Sequence, residues 1–164
     1  MANDARNVYV ATRSIGEPEG GPAGYAVVTI DDDTLAIVFR SVEDRGPVVQ
    51  ITSPRRLILA TTAKHVVIGP TEASVRLWSA QPVTSVDGRV DGGVWTSYSA
   101  ARDGTWHGPI AGDTLSKGQH TLEVRAIDSD GAIGSDTLVF LTDLTGRFNP
   151  VPAVEPVVTT TKFC

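Results

Sequence analysis

The residues able to do chemistry gather in one stretch, VDGGVWTSYSAARDGTWHGPIAGDTLSKGQHTLEVRAIDSDG at positions 90–131, which holds Trp95, Trp106, His107, His120 and several acids. A metal-activated water needs three or four His, Asp or Cys ligands at recurring spacings. His107 and His120, like His65 in TAKHVVIGP, have no second histidine or carboxylate at such a spacing. Residues 128–131, DSDG, begin like a calcium loop but lack the later acidic ligands and the terminal Glu. GEPEGGPAG has glycines without a following Lys-Ser/Thr, so it is not a phosphate-binding loop. No serine lies in a Gly-x-Ser-x-Gly context, and Cys164, the single cysteine, is the last residue, which leaves no Cys–His nucleophile, thiol zinc site or internal disulfide. The expectation is that this chain contains no catalytic, cofactor-binding or metal-ligating residue.

The same stretch has a second reading, as the frame of a β-sandwich. Burying a tryptophan removes about 150–250 Å² from water, worth roughly 4–6 kcal/mol gross at about 25 cal/mol per Å². With only 6% aromatic residues, Trp95 and Trp106 are expected in the core or between domains. Trp78, set opposite Leu77 by strand alternation, stays open between core and ligand platform. His120 opens an alternating run, where sandwich domains often carry a corner tyrosine bonded to backbone a few residues upstream. A ring N–H can make the same bond, so His120 is expected to be structural, and His107 and His65 to have surface or packing roles. Residues 128–131 then form a hairpin turn, and Asp91-Gly92 a tight turn that needs positive φ.

The elements that position these residues are almost all strands. RNVYVAT is a short β-branched run, followed by a Gly/Pro-rich loop. YAVVTI and TLAIVFRSV flank three aspartates at 31–33, which suits a hairpin. Both runs are nearly continuous in apolar residues and want cover on both faces. EDRGP at 43–47 reads as a linker. Beyond it, VVQIT, ASVRLWSA, VTSVDGRV, VWTSYSA, GTWHGPI, HTLEVRAID and SDTLVFLTD follow one another with turn signals between them. In HTLEVRAID, Leu122, Val124 and Ala126 alternate with Glu123 and Arg125. No amphipathic helix pattern intervenes. The fold class expected is all-β: an immunoglobulin/fibronectin-III-like β-sandwich over residues 46–145, preceded by a few strands at 1–45 and followed by an extended, proline-bearing tail at 146–164.

The chain has 164 residues, a hydrophobic fraction of 41% and a formal net charge of −5 with acids and bases mixed. No basic stripe suggests nucleic acid and no apolar run is long enough to span a bilayer, so neither is an expected partner. MANDARNVYV lacks the basic and apolar regions of a secretory signal. With a single cysteine, a cytoplasmic location is the default expectation.

The pattern VDGGVW…W…LSKGQHTLEVRAIDSDG resembles bacterial immunoglobulin-like accessory domains. Preceded by ATRSIGEPEGGPAGYAVVTIDDDTLAIVFRSVEDRGPVVQITSP, it is similar to the C-terminal part of bacterial calcineurin-like metallophosphoesterases that carry such a domain. The resemblance covers nearly the whole chain and implies that residues 1–45 are the last strands of a catalytic domain and 46–145 the appended sandwich. In that family the catalytic domain binds two divalent metal ions and hydrolyses phosphate esters. Its motifs, Asp-x-His, Gly-Asp-x-x-Asp, Gly-Asn-His-Asp/Glu and Gly-His-x-His, do not occur here, and GDT at 112–114 lacks the second aspartate, so no ligand carries over. The implied function is a non-catalytic accessory region serving domain packing, oligomerisation or shaping of a substrate site. Its implied partner is the parent's catalytic domain or another subunit, with a homo-oligomer possible. The Gly-Gly, tryptophan and G-x-H-x-L pattern also resembles the dimerisation domain of sulfite-oxidase-like molybdenum enzymes, and a free-standing binding sandwich is the third expectation.

Overall fold

Short alternating runs separated by Gly, Asp and Pro turns fold into antiparallel sheets, and the computed structural model describes residues 1–3, 8–9, 22–31, 34–148 and 153–154. The strands are β1 (Ala2–Asn3), β2 (Val8–Tyr9), β3 (Gly24–Asp31), β4 (Thr34–Ser41), β5 (Val48–Ser53), β6 (Thr71–Trp78), β7 (Val83–Val90), β8 (Thr96–Ser97), β9 (Ser99–Ala100), β10 (Thr105–Ile110), β11 (Gly118–Asp128), β12 (Ile133–Thr142) and β13 (Ala153–Val154). No α-helix occurs among the described residues, and two short 3-10 turns, Leu57–Leu59 and Ala63–His65, link β5 to β6. Most of the expected strand RNVYVAT, the loop after it and most of the tail lie outside the described residues.

Residues from β5 to β12 form the sandwich. One four-stranded sheet has the order β5-β6-β10-β9 and the other β12-β11-β7-β8. Lettered along the chain, this is the ABED and GFC arrangement of a constant-type immunoglobulin sandwich, with one extra short strand beside C. Inward side chains of both sheets meet in one core: Val49, Ile51, Ala73, Val75 and Ile110 from the first, Val86, Leu122, Val124, Ala126, Leu138 and Phe140 from the second. Period-two alternation produces this face, because each strand turns every second residue to the same side.

The run VWTSYSA does not return as one strand. It splits into β8, paired with β7, and β9, paired with β10, so the chain crosses from one sheet to the other at Tyr98. Tyr98 is buried, its N–H donates to the Val86 carbonyl at 2.8 Å, and its ring occupies the space above two glycines, Gly88 of β7 and Gly108 of β10. A Cβ at either glycine would overlap that ring. Both mid-strand glycines therefore mark a close approach between the sheets.

The strands β3 and β4 pair along their whole length, from Gly24↔Ser41 to Asp31↔Thr34. One face of this hairpin packs on β5. Gln50, 1% exposed, donates from Nε2 to the Val27 carbonyl at 3.1 Å, and its Oε1 accepts from the Thr29 hydroxyl. This cover explains why β5 is buried along nearly all its length rather than on alternate residues. The segment expected as a linker is a pinned turn. Arg40 donates to the Gly46 carbonyl, the Ser41 N–H donates to Asp44 Oδ2 at 3.1 Å, and the Asp44 N–H returns to the Ser41 carbonyl at 3.2 Å.

Candidate functional site

The hairpin presents a second face away from β5. Residues of one parity point there, and beyond Gly24↔Ser41 the cross-strand pairs Ala26↔Phe39, Val28↔Ile37 and Ile30↔Leu35 are apolar. Val28 is 48% and Ile30 77% exposed. The two strands form a sheet of their own, with one open edge each among the described residues. Among the described residues, β5 covers the face from which Val27 and Thr29 meet Gln50.

Trp95 departs from expectation. It is half-buried on the outer side of the β7–β11 sheet, with the Arg89 and Arg125 guanidinium carbons 4.4 and 4.2 Å from its ring centroid. Arg89 and Glu123 form a two-bond pair at 3.1 and 2.8 Å across β7 and β11, and Arg125 reaches Asp87 at 3.4 Å. The physical reason is that Trp95 follows Gly92-Gly93, where the chain leaves β7, and two cations flatten the ring against the solvent face. Trp106 does pack against the core, half-buried, between Val75 and Ala100 on neighbouring strands. Trp78 is 43% exposed.

His120 holds a corner. Its Nε2 lies 2.8 Å from the Ser116 carbonyl, four residues upstream, and its Nδ1 2.6 Å from Asp91 Oδ2. Asp91 Oδ1 also accepts the Thr121 N–H at 2.8 Å. Asp91 and Gly92 both have positive φ, 50° and 69°, as the expected tight turn requires. Burial alone would lower the His120 pKa, but its bonds to Asp91 and Ser116 raise it on balance. Asp91 is lowered, because the bonds from His120 and Thr121 outweigh burial.

His107 sits on the outer face of β10 in a chain of hydroxyls. Thr105 donates its hydroxyl to Asp103 Oδ1 at 2.6 Å and so must accept from His107 Nε2–H at 2.7 Å. This fixes the tautomer and leaves Nδ1 to accept from the Ser74 hydroxyl at 3.2 Å. Asp103 is held below the usual carboxylate range by the Thr105 hydroxyl and amide. The chain ties β6 to β10 across strands 33 residues apart. At the other hairpin, Asp128 Oδ1 accepts the Asp130 and Ala132 amides at 3.0 and 2.9 Å, so this carboxylate closes a turn.

The three histidines stand apart, and no group of three or more His, Cys, Asp or Glu suited to a metal ion occurs among the described residues. No helix among them is long and apolar enough to cross a membrane. No family model matches the sequence, and no curated protein matches it. Among solved structures, the crystal structure of an engineered protein is similar over 60% of this chain and 20% of that chain, with 28% identity and a TM-score of 0.42. The chain thus spans a fifth of that protein's length.

Proposed function

We propose that this chain is a non-catalytic accessory region of a calcineurin-like metallophosphoesterase. In this reading the sandwich is an appended body, and the β3–β4 hairpin completes a sheet of the catalytic domain. The observation that carries it is the apolar outer face of the hairpin, with Ile30 77% exposed beside Val28 and their partners Leu35 and Ile37. Covering an aliphatic side chain is worth about 1.5–3 kcal/mol, and a contiguous exposed apolar patch marks an interaction surface. The open strand edges supply backbone donors and acceptors for further pairing. The order of the two segments, hairpin then sandwich, supports the parent family.

The two divalent metal ions of that family do not fit the residues of this chain. His65 faces Arg55, His107 is committed to Thr105 and Ser74, and His120 to Asp91 and Ser116. Hydrolysis belongs to the partner domain, and this chain contributes packing.

The test mixes the chain with a metallophosphoesterase catalytic domain cut before its last strands, and follows association by light scattering. A one-to-one complex that is lost on Val28→Lys with Ile30→Lys is expected. A stable homodimer that is lost on the same substitutions would replace this reading with a dimerisation module. A monomer indifferent to the catalytic domain would overturn it.

A further inference from the structure

A cavity of about 300 Å³ lies between the two sheets at the end where β7 and β10 finish. Val90 and Leu122 wall it from one sheet, Ile110 from the other, and Leu115 from the turn between β10 and β11. Val94, 88% exposed, belongs to the wall on the chain between β7 and β8, so the cavity reaches solvent there. Arg89 is the one charged residue among the described lining. Its guanidinium is already held by Glu123 at 3.1 and 2.8 Å and lies over the Trp95 ring. The Thr114 hydroxyl donates to the Ala111 carbonyl at 2.8 Å. A mostly apolar space without an unpaired charge suits an uncharged ligand.

One buried polar group is aimed into this space. The Tyr98 ring runs from β10 to β7: a Cβ on Gly108 would meet its ring carbons, and a Cβ on Gly88 its hydroxyl. Gly88 lines the cavity, so the hydroxyl end of the ring is the end that faces it. Tyr98 is only 6% exposed, and its hydroxyl forms no hydrogen bond among the described residues. Burial alone pushes its pKa up to about 12, with no hydrogen bond contributing. A buried tyrosine hydroxyl normally has a partner, and one without it calls for an explanation. Thr96, opposite Gly88 across β7 and β8, is exposed, so solvent serves its hydroxyl. The Tyr98 hydroxyl is left as the buried group that a ligand in the cavity would satisfy.

We infer that this cavity binds a small uncharged alcohol or phenol, a single ring with a short substituent, whose oxygen pairs with the Tyr98 hydroxyl. A phenolic hydroxyl both donates and accepts, which matches a ligand hydroxyl in either direction. The cavity is at the small end of ligand sites, which run over ~300–1,000 Å³, and this sets the size at one ring. The site lies within the sandwich and does not rest on the docking reading above.

The experiment titrates the full chain, labelled with ¹⁵N, with 4-methylphenol, with toluene and with 4-methylbenzoate at about pH 7, where the phenol is neutral and the benzoate ionised. Saturable shifts are expected for the amides of Tyr98, Ala111, Leu115 and Leu122 with 4-methylphenol, with a Kd on the order of 1 mM. Toluene, which lacks the oxygen, is expected to bind about tenfold more weakly, and 4-methylbenzoate not at all. Tyr98→Phe keeps the ring between the two glycines and removes a hydroxyl that bonds nothing in the protein. In that variant toluene should bind as before, and the roughly tenfold preference for 4-methylphenol should vanish. Absence of saturable shifts with 4-methylphenol overturns the proposal. So does toluene or 4-methylbenzoate binding as tightly as 4-methylphenol, or a preference for the phenol that survives in Tyr98→Phe, since the hydroxyl would then play no part. Shifts centred on Val28 and Ile30 overturn it as well, because the ligand would then adsorb to the hairpin. The comparison of the three compounds on the unaltered chain keeps the test valid if Tyr98→Phe fails to fold.

Discussion

His120 and Asp91 lie 2.6 Å apart, Nδ1 to Oδ2, while the other ring nitrogen of His120 meets the Ser116 carbonyl at 2.8 Å. A carboxylate and a carbonyl only accept, so both ring nitrogens donate and His120 is an imidazolium. Because folding raises its pKa, its stabilising contribution is full below the unfolded value of about 6.5 and is lost as pH rises through the folded value. Asp91 is lowered on folding, so its contribution is present above about pH 4 and is lost as pH falls through its folded value. The pair therefore stabilises most between roughly pH 4 and pH 6.5. His120→Ala is expected to cost about 1.5–3 kcal/mol in that window and less at pH 9. Urea denaturation of both proteins across pH checks this, and a cost that does not vary with pH contradicts the imidazolium.

The contact between Tyr98 and its two glycines gives a second prediction. Gly108→Ala and Gly88→Ala each force the Tyr98 ring out of its place between the sheets. Each is expected to cost about 1–3 kcal/mol, as overpacking of a closed core does. Gly69→Ala meets no atom within 4 Å and should change stability by less than about 0.5 kcal/mol. Denaturant midpoints of the three variants test the order.

The tryptophans should separate in the same assay. Trp106→Ala removes a side chain packed against Val75 and the core and is expected to cost about 3 kcal/mol. Trp95→Ala removes two cation–π contacts at a half-exposed site, worth about 1–2 kcal/mol together. Equal losses would place Trp95 in the core after all.

A chain that begins at Gly46 is expected to remain folded. Hydrogen exchange should stay slow at Leu122, Val124 and Ala126, in the centre of β11, where the core is fully buried. It should quicken around Gln50, whose side chain loses Val27 and Thr29. In the full chain β3 and β4 should exchange faster than β11. Global unfolding of the shortened chain would make the hairpin part of the sandwich core.

Much of the frame was legible in the sequence because β11 alternates apolar and polar residues from Leu122 to Ala126, and alternation reports which face meets the core. The Asp91-Gly92 turn was legible because tight hairpins demand positive φ, and the His120 corner because its backbone bond is local. What escaped was non-local. Trp95 finds its place through cations on β7 and β11, and Ser74 meets His107 only through the pairing of β6 with β10. Gly88 and Gly108, glycines inside strand patterns, were a signal for the Tyr98 approach that went unused. The two 3-10 turns carried no spacing signature: the first forms where Leu59 and Ala60 are buried, and the second is closed by the reciprocal capping of Thr62 and His65.

The short turn after β4 has a mechanical meaning. Arg40 grips the Gly46 carbonyl, Asp44 closes the turn on Ser41, and β5 beyond it is bonded on its far side by Asp136, which accepts the Ile51 N–H at 2.9 Å. Hairpin and sandwich are therefore joined as a stiff elbow, not a tether. Any sheet that takes up β3 and β4 would carry the sandwich at a set angle, and a twist applied at one end would reach the other through β5.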